Sequence, residues 1–132
     1  MPNMYTIPVP KLRAFVEKIF TGHGLSQEDA AIITDNLIDA NCRGMDSHGV
    51  IRVENYINRL NNGGSDPNAE IKVIRETPVS ALLDAGNGLG QVVSTKAAKL
   101  CRKKAEEMGM AAVVMRNSNH YGTSAYYCEM MA

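Results

Sequence analysis

Two short segments combine residue types that can transfer a proton and bind an anion. The first is Arg43–Arg52, RGMDSHGVIR, in which His48 follows Ser47 and Arg52 comes four residues later. Histidine exchanges a proton near neutral pH, and an arginine fork holds a carboxylate through two charge-assisted hydrogen bonds. If a helix begins near His48, both side chains leave it on one face, one turn apart. The pair suits a substrate with a carboxylate beside a reducible carbonyl, and Ser47 or Asp46 could fix the imidazole tautomer.

A purely structural interpretation of this segment stays open. Asp46 or Ser47 could simply cap the following helix, and Arg52 could be a solvated surface residue. Spacing alone does not separate the two interpretations, because short motifs of this kind carry a high false-positive risk.

The second segment is Arg116–Ser124, RNSNHYGTS, which follows an apolar strand pattern and precedes a helical one. Ligands of open α/β sheets sit at the carboxyl ends of strands. Thr123 and Ser124 would present free backbone N–H groups at the helix start, a site for a phosphate or carboxylate. The alternative is a loop of local Asn and Ser turns in which His120 is a partly buried hydrogen-bonding residue.

The glycine-rich stretch Asp84–Gln91, DAGNGLGQ, has the spacing GxGxG rather than the dinucleotide fingerprint GxGxxG. We therefore expect a tight turn there and not a pyrophosphate site. No metal site is expected either, because the three histidines, His23, His48 and His120, form no HxxxH or HxH pair.

Hydrophobic periodicity predicts the elements that position these segments. Residues 8–62 are predicted to be helical, with a Ser26 cap on the second helix and a third helix from about Val50. Apolar stripes predict the buried faces, Leu12, Phe15, Val16, Ile19 and Phe20 in the first helix and Ala30, Ile33, Leu37 and Ala40 in the second. The run Asn61–Asn68, NNGGSDPN, is the clearest break in the chain.

Residues 70–132 are predicted to form a β-α-β segment preceded by one more strand. The strand patterns are 70–77, 79–85 and 110–115, and a helix from Gln91 to about Met108 separates the last two. That order implies a parallel pair joined by a right-handed crossover. The continuous apolar run Met110–Met115 predicts a strand buried on both faces. The fold class is therefore α/β, with N-terminal helices followed by part of a sheet.

Composition excludes several classes of protein. The 132 residues carry 14 basic and 14 acidic side chains, 45% hydrophobic residues and 21% charged ones. Such a chain is globular and has no electrostatic footprint for nucleic acid or an anionic membrane. No apolar run is long enough to span a bilayer, and the N-terminus has no secretory pattern. Three widely spaced cysteines suggest no disulfide framework, so a cytoplasmic location is expected.

Three stretches taken together resemble a known family: RGMDSHGVIRVENYINRLNNG, LLDAGNGLGQVVSTKA and RNSNHYGTSAYY. They are similar to the N-terminal part of the malate/L-lactate dehydrogenase type 2 family, whose members include sulfolactate, ureidoglycolate, diketogulonate and piperideine-carboxylate enzymes. The likeness runs in order from about Leu12 to Ala132. It implies a homodimeric oxidoreductase that uses NAD or NADP on small 2-oxo or 2-hydroxy acids. The implied fold is a three-layer α/β fold with a mixed, non-Rossmann sheet.

The resemblance also implies roles for individual residues. It makes His48 the proton donor, Ser47 part of its relay and Arg52 the contact to the substrate carboxylate. The loop His120, Tyr121, Gly122, Thr123 and Ser124 would contact the nicotinamide cofactor. In the ureidoglycolate branch the loop histidine is the base, so His48 and His120 compete for proton transfer. Neither the 2-oxo acid nor the choice of NAD over NADP follows from the sequence.

Members of this family are more than twice as long as this chain. The resemblance therefore implies that residues 1–132 are an N-terminal portion that lacks a relay aspartate and most cofactor contacts, and we expect it to be inactive alone. The alternative is a small non-enzymatic domain that binds a carboxylate, a phosphate or a partner chain. Exposed strand edges and an uncovered apolar face would favour the first interpretation.

Overall fold

The computed structural model describes residues 6–132, as five α-helices, two short 3₁₀ turns and three strands. Residues 1–5 lie outside the described part. The prediction that the N-terminus has no secretory pattern falls partly on these residues. In chain order the elements are α1 Val9–Gly22, α2 Gln27–Cys42, the 3₁₀ turns Asp46–His48 and Val50–Arg52, α3 Val53–Asn61, β1 Lys72–Thr77, β2 Ser80–Asp84, α4 Gly90–Met108, β3 Ala112–Arg116 and α5 Ser124–Met131. No helix among residues 6–132 is long and apolar enough to cross a bilayer.

The N-terminal helices pack through the apolar stripes that the sequence predicts, with one exception. Ser26 caps α2 as predicted, since its Oγ accepts a hydrogen bond from the Asp29 amide at 3.1 Å. The α2 stripe is confirmed, because its four members are all completely buried: Ala30, Ile33, Leu37 and Ala40. In α1, Val16 and Phe20 enter the same core, but Phe15 is 63% exposed, so its predicted burial is wrong.

The helix predicted from about Val50 begins later than the sequence suggests. Gly49 has an extended backbone (φ −86°, ψ −154°) between the two 3₁₀ turns, and α3 starts only at Val53. The prediction that one α-helix carries His48 and Arg52 a single turn apart is therefore wrong. Gly49 is buried against Asn41 of α2, and a Cβ atom at this position would clash with the Asn41 amide. The close approach of Asn41 therefore requires a glycine at the point where the helical backbone is interrupted.

The sheet has the strand order β1-β2-β3. Strands β1 and β2 form an antiparallel hairpin, and β2 pairs with β3 in parallel, with Leu82 opposite Val114. The predicted parallel pair with α4 between its strands is confirmed, and Gly109 ends α4 in a left-handed conformation (φ +82°). The α/β class is confirmed by this mixed sheet.

Strand β3 is not buried on both faces, contrary to the sequence prediction. Val113 and Met115 are half-buried and pack toward Ala81, Leu83 and Ala97, whereas Val114 is 60% exposed. The apolar run is therefore covered on one face only by the residues that the structure describes. Such an uncovered apolar face is expected if residues 1–132 are a portion of a longer chain.

Candidate active site

Asn41 of α2 organises the turn that carries His48. Its Oδ1 accepts the Val50 amide at 2.8 Å, and its Nδ2 donates to Asp46 Oδ1 at 2.6 Å. Asp46 is thus bound to α2 and caps no helix with its side chain. Both ends of the Asp46–Val50 turn are attached to α2, which fixes the position of His48 between them.

The side chains of Ser47, His48 and Arg52 lie together although no α-helix joins them. Ser47 Oγ is 2.9 Å from His48 Nδ1, so the serine can hold the imidazole in one tautomer. Arg52 Nε donates to the Ser47 carbonyl oxygen at 2.7 Å. This hydrogen bond uses only the Nε of Arg52 and holds the side chain against the His48 turn. The two terminal nitrogens of the guanidinium remain available to bind an oxyanion.

The loop that carries His120 is anchored to the glycine-rich turn after β2. Asn119 Nδ2 donates to the carbonyl oxygens of Asn87 and Gly88 at 3.0 and 2.9 Å. A Cβ atom at Gly90 would clash with the carbonyl oxygens of Asn119 and His120. The absence of a side chain at Gly90 therefore lets the His120 loop approach the start of α4. This agrees with the prediction that the glycine-rich stretch forms a tight turn.

The structure brings His48 and His120 together. Their rings stack with centroids 5.7 Å apart and an interplanar angle of 27°. Tyr56 of α3 completes the group, because its Oη lies 2.8 Å from His120 Nδ1. The two segments are far apart in the sequence and thus converge on one place in the fold. They meet a tyrosine that no sequence motif indicated.

The protonation of His120 follows from its neighbours. Burial raises the pKa of Tyr56, so the phenol keeps its proton and can donate a hydrogen bond to His120 Nδ1. The Gly122 amide also points at Nδ1, at 3.4 Å. Nδ1 is therefore an acceptor, and the neutral imidazole carries its proton on Nε2. Burial, followed by the charges of Arg52, His48 and Arg59, lowers the pKa of His120 below its usual value.

A cleft of about 510 Å³ opens beside these rings. Most of its lining belongs to one polar face of α3, defined here as the α3 polar face: Arg52, Asn55, Tyr56, Arg59 and Asn62. Asn58, Gly64 and His120 complete the lining. The sequence patterns did not predict this face, because the apolar stripe through Val53 and Ile57 dominates the periodicity of the helix. Asn55, Tyr56 and Arg59 follow Arg52 by 3, 4 and 7 residues, and this helical spacing of polar side chains could have indicated the face.

Tyr121 and Gly122 contact buried groups of α5 and α2. Asn36 is completely buried under the loop, and its Nδ2 donates to Tyr127 Oη at 3.4 Å. Tyr127 in turn donates to the Tyr121 carbonyl oxygen. Gly122 has a φ of +83° and touches Asn36, so a side chain here would be both strained and obstructed.

The start of α5 contains a buried polar side chain. Helix α5 has no side-chain cap, and Thr123 Oγ1 is buried without a hydrogen-bond partner. Tyr121 is 44% exposed beside this helix start, with its Oη 3.1 Å from Ser124 Oγ. Within residues 6–132, no group of three His, Cys, Asp or Glu side chains could hold a metal ion.

The chain is similar to one family of known proteins in both sequence and structure. A family model described as malate/L-lactate dehydrogenase matches residues 7–132. Over 98% of its length the chain is 44% identical to malate dehydrogenase from Pyrococcus horikoshii, and over 81% it is 43% identical to L-sulfolactate dehydrogenase from Methanocaldococcus jannaschii. It spans only 36% and 31% of those two relatives. Among solved structures, malate dehydrogenase from Pyrococcus horikoshii OT3 superposes with a TM-score of 0.96 at 43% identity, over 98% of this chain and 37% of that one.

Proposed function

This chain belongs to the malate/L-lactate dehydrogenase family, and we propose that the protein interconverts a small 2-hydroxy acid and its 2-oxo acid with NAD or NADP. The observation that carries the proposal is the stacked pair His48 and His120 beside the free fork of Arg52. The names of relatives that act on malate and sulfolactate support a hydroxy-acid substrate. A homodimer in the cytoplasm is part of the same proposal and is supported only by the likeness to the family.

In the proposed mechanism Arg52 binds the substrate carboxylate. Its Nε is occupied by the Ser47 carbonyl oxygen, which leaves the terminal nitrogens to meet the two carboxylate oxygens. A carboxylate gripped in this way places C2 and its oxygen close to the two histidine rings. Positioning of this kind removes part of the entropic barrier before any bond changes.

His48 transfers the proton in this proposal. It donates to the carbonyl oxygen of a 2-oxo acid and takes the proton back from the hydroxyl group in the reverse direction. Ser47 orients the ring through Nδ1. His120, held neutral with its proton on Nε2, donates a hydrogen bond to the same oxygen and stabilises the charge that develops there. His120 is the alternative proton-transfer residue.

The residues His120–Ser124 fit part of a nicotinamide cofactor. The uncapped start of α5 and the unpartnered Thr123 Oγ1 suit an anionic or amide group, and Tyr121 offers an exposed aromatic face. A nicotinamide bound there would supply or accept the hydride at C2. Gly122 keeps the loop free of a side chain at the point where it lies on Asn36.

Steady-state kinetics of the full-length gene product that carries these 132 residues test the proposal. We expect oxidation of NADH or NADPH with pyruvate or oxaloacetate, and we expect His48→Gln to lower kcat by about 10²- to 10⁴-fold with little change in cofactor affinity. Arg52→Lys should mainly lower kcat/KM for the acid, because a point charge replaces a two-pronged grip. The matched control is His23→Gln, since His23 is exposed and bonds only Asn61. An unchanged kcat in His48→Gln, or a larger loss in His120→Gln, would contradict the role given to His48.

A further inference from the structure

The α3 polar face presents two arginines to the cleft. Arg52 and Arg59 are seven residues apart, so they share one side of the helix, two turns or about 10 Å apart along its axis. The other lining residues are three asparagines, a tyrosine, a glycine and His120. No Asp or Glu belongs to the lining, so nothing in it neutralises the two cations.

Neither guanidinium is paired with a carboxylate elsewhere in the described structure. Arg13, Arg43, Arg102 and Arg116 each form a salt bridge with an acidic side chain. Among the arginines of residues 6–132, Arg52, Arg59 and Arg75 have none. Two of these three line the same cleft, and the third lies on β1.

Arg59 is held in place by neutral acceptors. Its Nη2 donates to the Gly64 carbonyl oxygen at 2.9 Å and to Asn119 Oδ1, and its Nε lies 3.4 Å from Ser65 Oγ. Its Nη1 forms no hydrogen bond within the described residues. These contacts orient the guanidinium at the mouth of the cleft and leave its charge uncompensated. The charges of Arg52 and Arg59 both disfavour the imidazolium form of His120, so the site is electropositive even before a substrate enters.

We propose that Arg59 binds a second anionic group of the substrate, so that the cleft prefers 2-oxo and 2-hydroxy acids with a second carboxylate or another oxyanion over monocarboxylates. The proposal rests on the proposed function, in which Arg52 takes the carboxylate next to the reacting carbon. Two fixed cations without a bound counter-anion favour a dianion. Each guanidinium gives up only bound water, and no existing salt bridge, when it forms a charge-assisted pair with the ligand. The side chains of Asn55, Asn58 and Asn62 add neutral amide donors and acceptors to the lining, so an oxyanion held by Arg59 meets no opposing negative charge there.

Substrate selectivity of the full-length protein tests this assignment. The readout is kcat/KM for oxaloacetate divided by kcat/KM for pyruvate. We expect Arg59→Gln to lower this ratio by about 10- to 100-fold, which corresponds to the loss of one charged hydrogen-bonded pair. Arg59→Lys should retain part of the preference, and Arg75→Gln, an exposed arginine that also has no carboxylate partner, should leave the ratio unchanged.

Two other results of the kinetic test decide against the proposal, and a third is resolved by binding. If Arg59 only anchors the Asn119 loop, Arg59→Gln will lower turnover of both acids equally and leave the ratio as it was. If Arg59 binds a phosphate of the cofactor, the KM for NADH or NADPH will rise and the ratio will again stay constant. If the wild-type protein reduces neither acid, the proposed function fails, but equilibrium binding still decides the role of Arg59. Calorimetry should then give a preference for malonate over acetate that Arg59→Gln abolishes, and no such preference would overturn the proposal.

Discussion

His48 and His120 differ in what surrounds their rings, although the rings stack on each other. His120 Nδ1 faces the Tyr56 hydroxyl and the Gly122 amide, and cations at Arg52 and Arg59 disfavour its protonation. His48 Nδ1 faces the Ser47 hydroxyl, which can act as donor or acceptor. The surroundings of His120 thus favour its neutral form, whereas the Ser47 hydroxyl can pair with His48 Nδ1 whether or not that nitrogen carries a proton. This difference is our reason for assigning proton transfer to His48.

The lowered pKa of His120 predicts an acid-sensitive component of stability. In the unfolded chain this histidine binds a proton below about pH 6.5, whereas in the folded chain it resists protonation until a lower pH. The unfolded state therefore binds more protons in that window, and the free energy of unfolding should fall as the pH drops below about 6.5. Urea unfolding at several pH values should show that His120→Gln reduces this slope and that His23→Gln does not. An equal slope in wild type and His120→Gln would show that neither burial nor the surrounding charges change the protonation of His120 on folding.

At the scale of elements, α2 supports both halves of the candidate site. Asn41 fixes the turn of His48, and Asn36, five residues earlier, lies under Gly122 in the loop of His120. The glycine-rich turn before α4 supports the second loop from the other side, through Asn119. The two rings meet because both loops are attached to the same buried helix.

Gly90→Ala tests this dependence on close backbone approach. The added methyl group would meet the carbonyl oxygens of Asn119 and His120, so the loop must shift. A displacement of about 1 Å can cost about 10²-fold in kcat, while overpacking typically costs about 1–3 kcal/mol in stability. The measurements are kcat of the full-length protein and its thermal unfolding.

Gly22→Ala is the matched control for Gly90→Ala. Gly22 ends α1, and a Cβ atom there would meet no atom within 4 Å. It should therefore leave kcat unchanged. If Gly90→Ala retains the wild-type kcat, the position of the His120 loop does not depend on Gly90.

Sequence patterns were sufficient for most elements and insufficient for the way the site is assembled. The apolar period predicted the α2 core face and the strands, and Gly109 predicted the C-terminal end of α4. The His48 turn could not be predicted as 3₁₀, because its shape depends on the contact of Gly49 with Asn41 across the fold. The same holds for Tyr56, whose role comes from a hydrogen bond to a residue 64 positions away. Burial of a polar residue such as Asn36 also leaves no periodic signature.

At the scale of the whole molecule, the three-stranded sheet is open. Val114 on β3 and Val73 on β1 are 60% and 53% exposed, and β3 pairs with β2 only, among the residues that the structure describes. An exposed apolar strand with a free edge is a template for pairing with another chain. The residues that the structure describes therefore contain a buried helical core, but they cover only one face of β3.

The open strand predicts that the 132-residue chain self-associates in solution. Val114→Lys should reduce this association, because a charge on the free edge opposes strand pairing. Phe15→Lys is the matched control, since Phe15 on α1 is equally exposed, at 63%, and lies outside the sheet. Sedimentation velocity over a range of concentrations measures the effect. A wild-type chain that stays monomeric throughout would contradict the prediction.

The α3 polar face has a consequence for protein engineering. The two histidines sit in loops, whereas the side chains that line the acid-binding cleft come mainly from a single helix of nine residues and its flanks. The cleft-facing positions Asn55, Asn58 and Asn62 can therefore be varied together, while Val53, Ile57 and Leu60 keep their core contacts and Arg59 keeps its bond to Asn119. A library confined to these three positions would change the lining of the cleft without altering His48, Arg52 or His120.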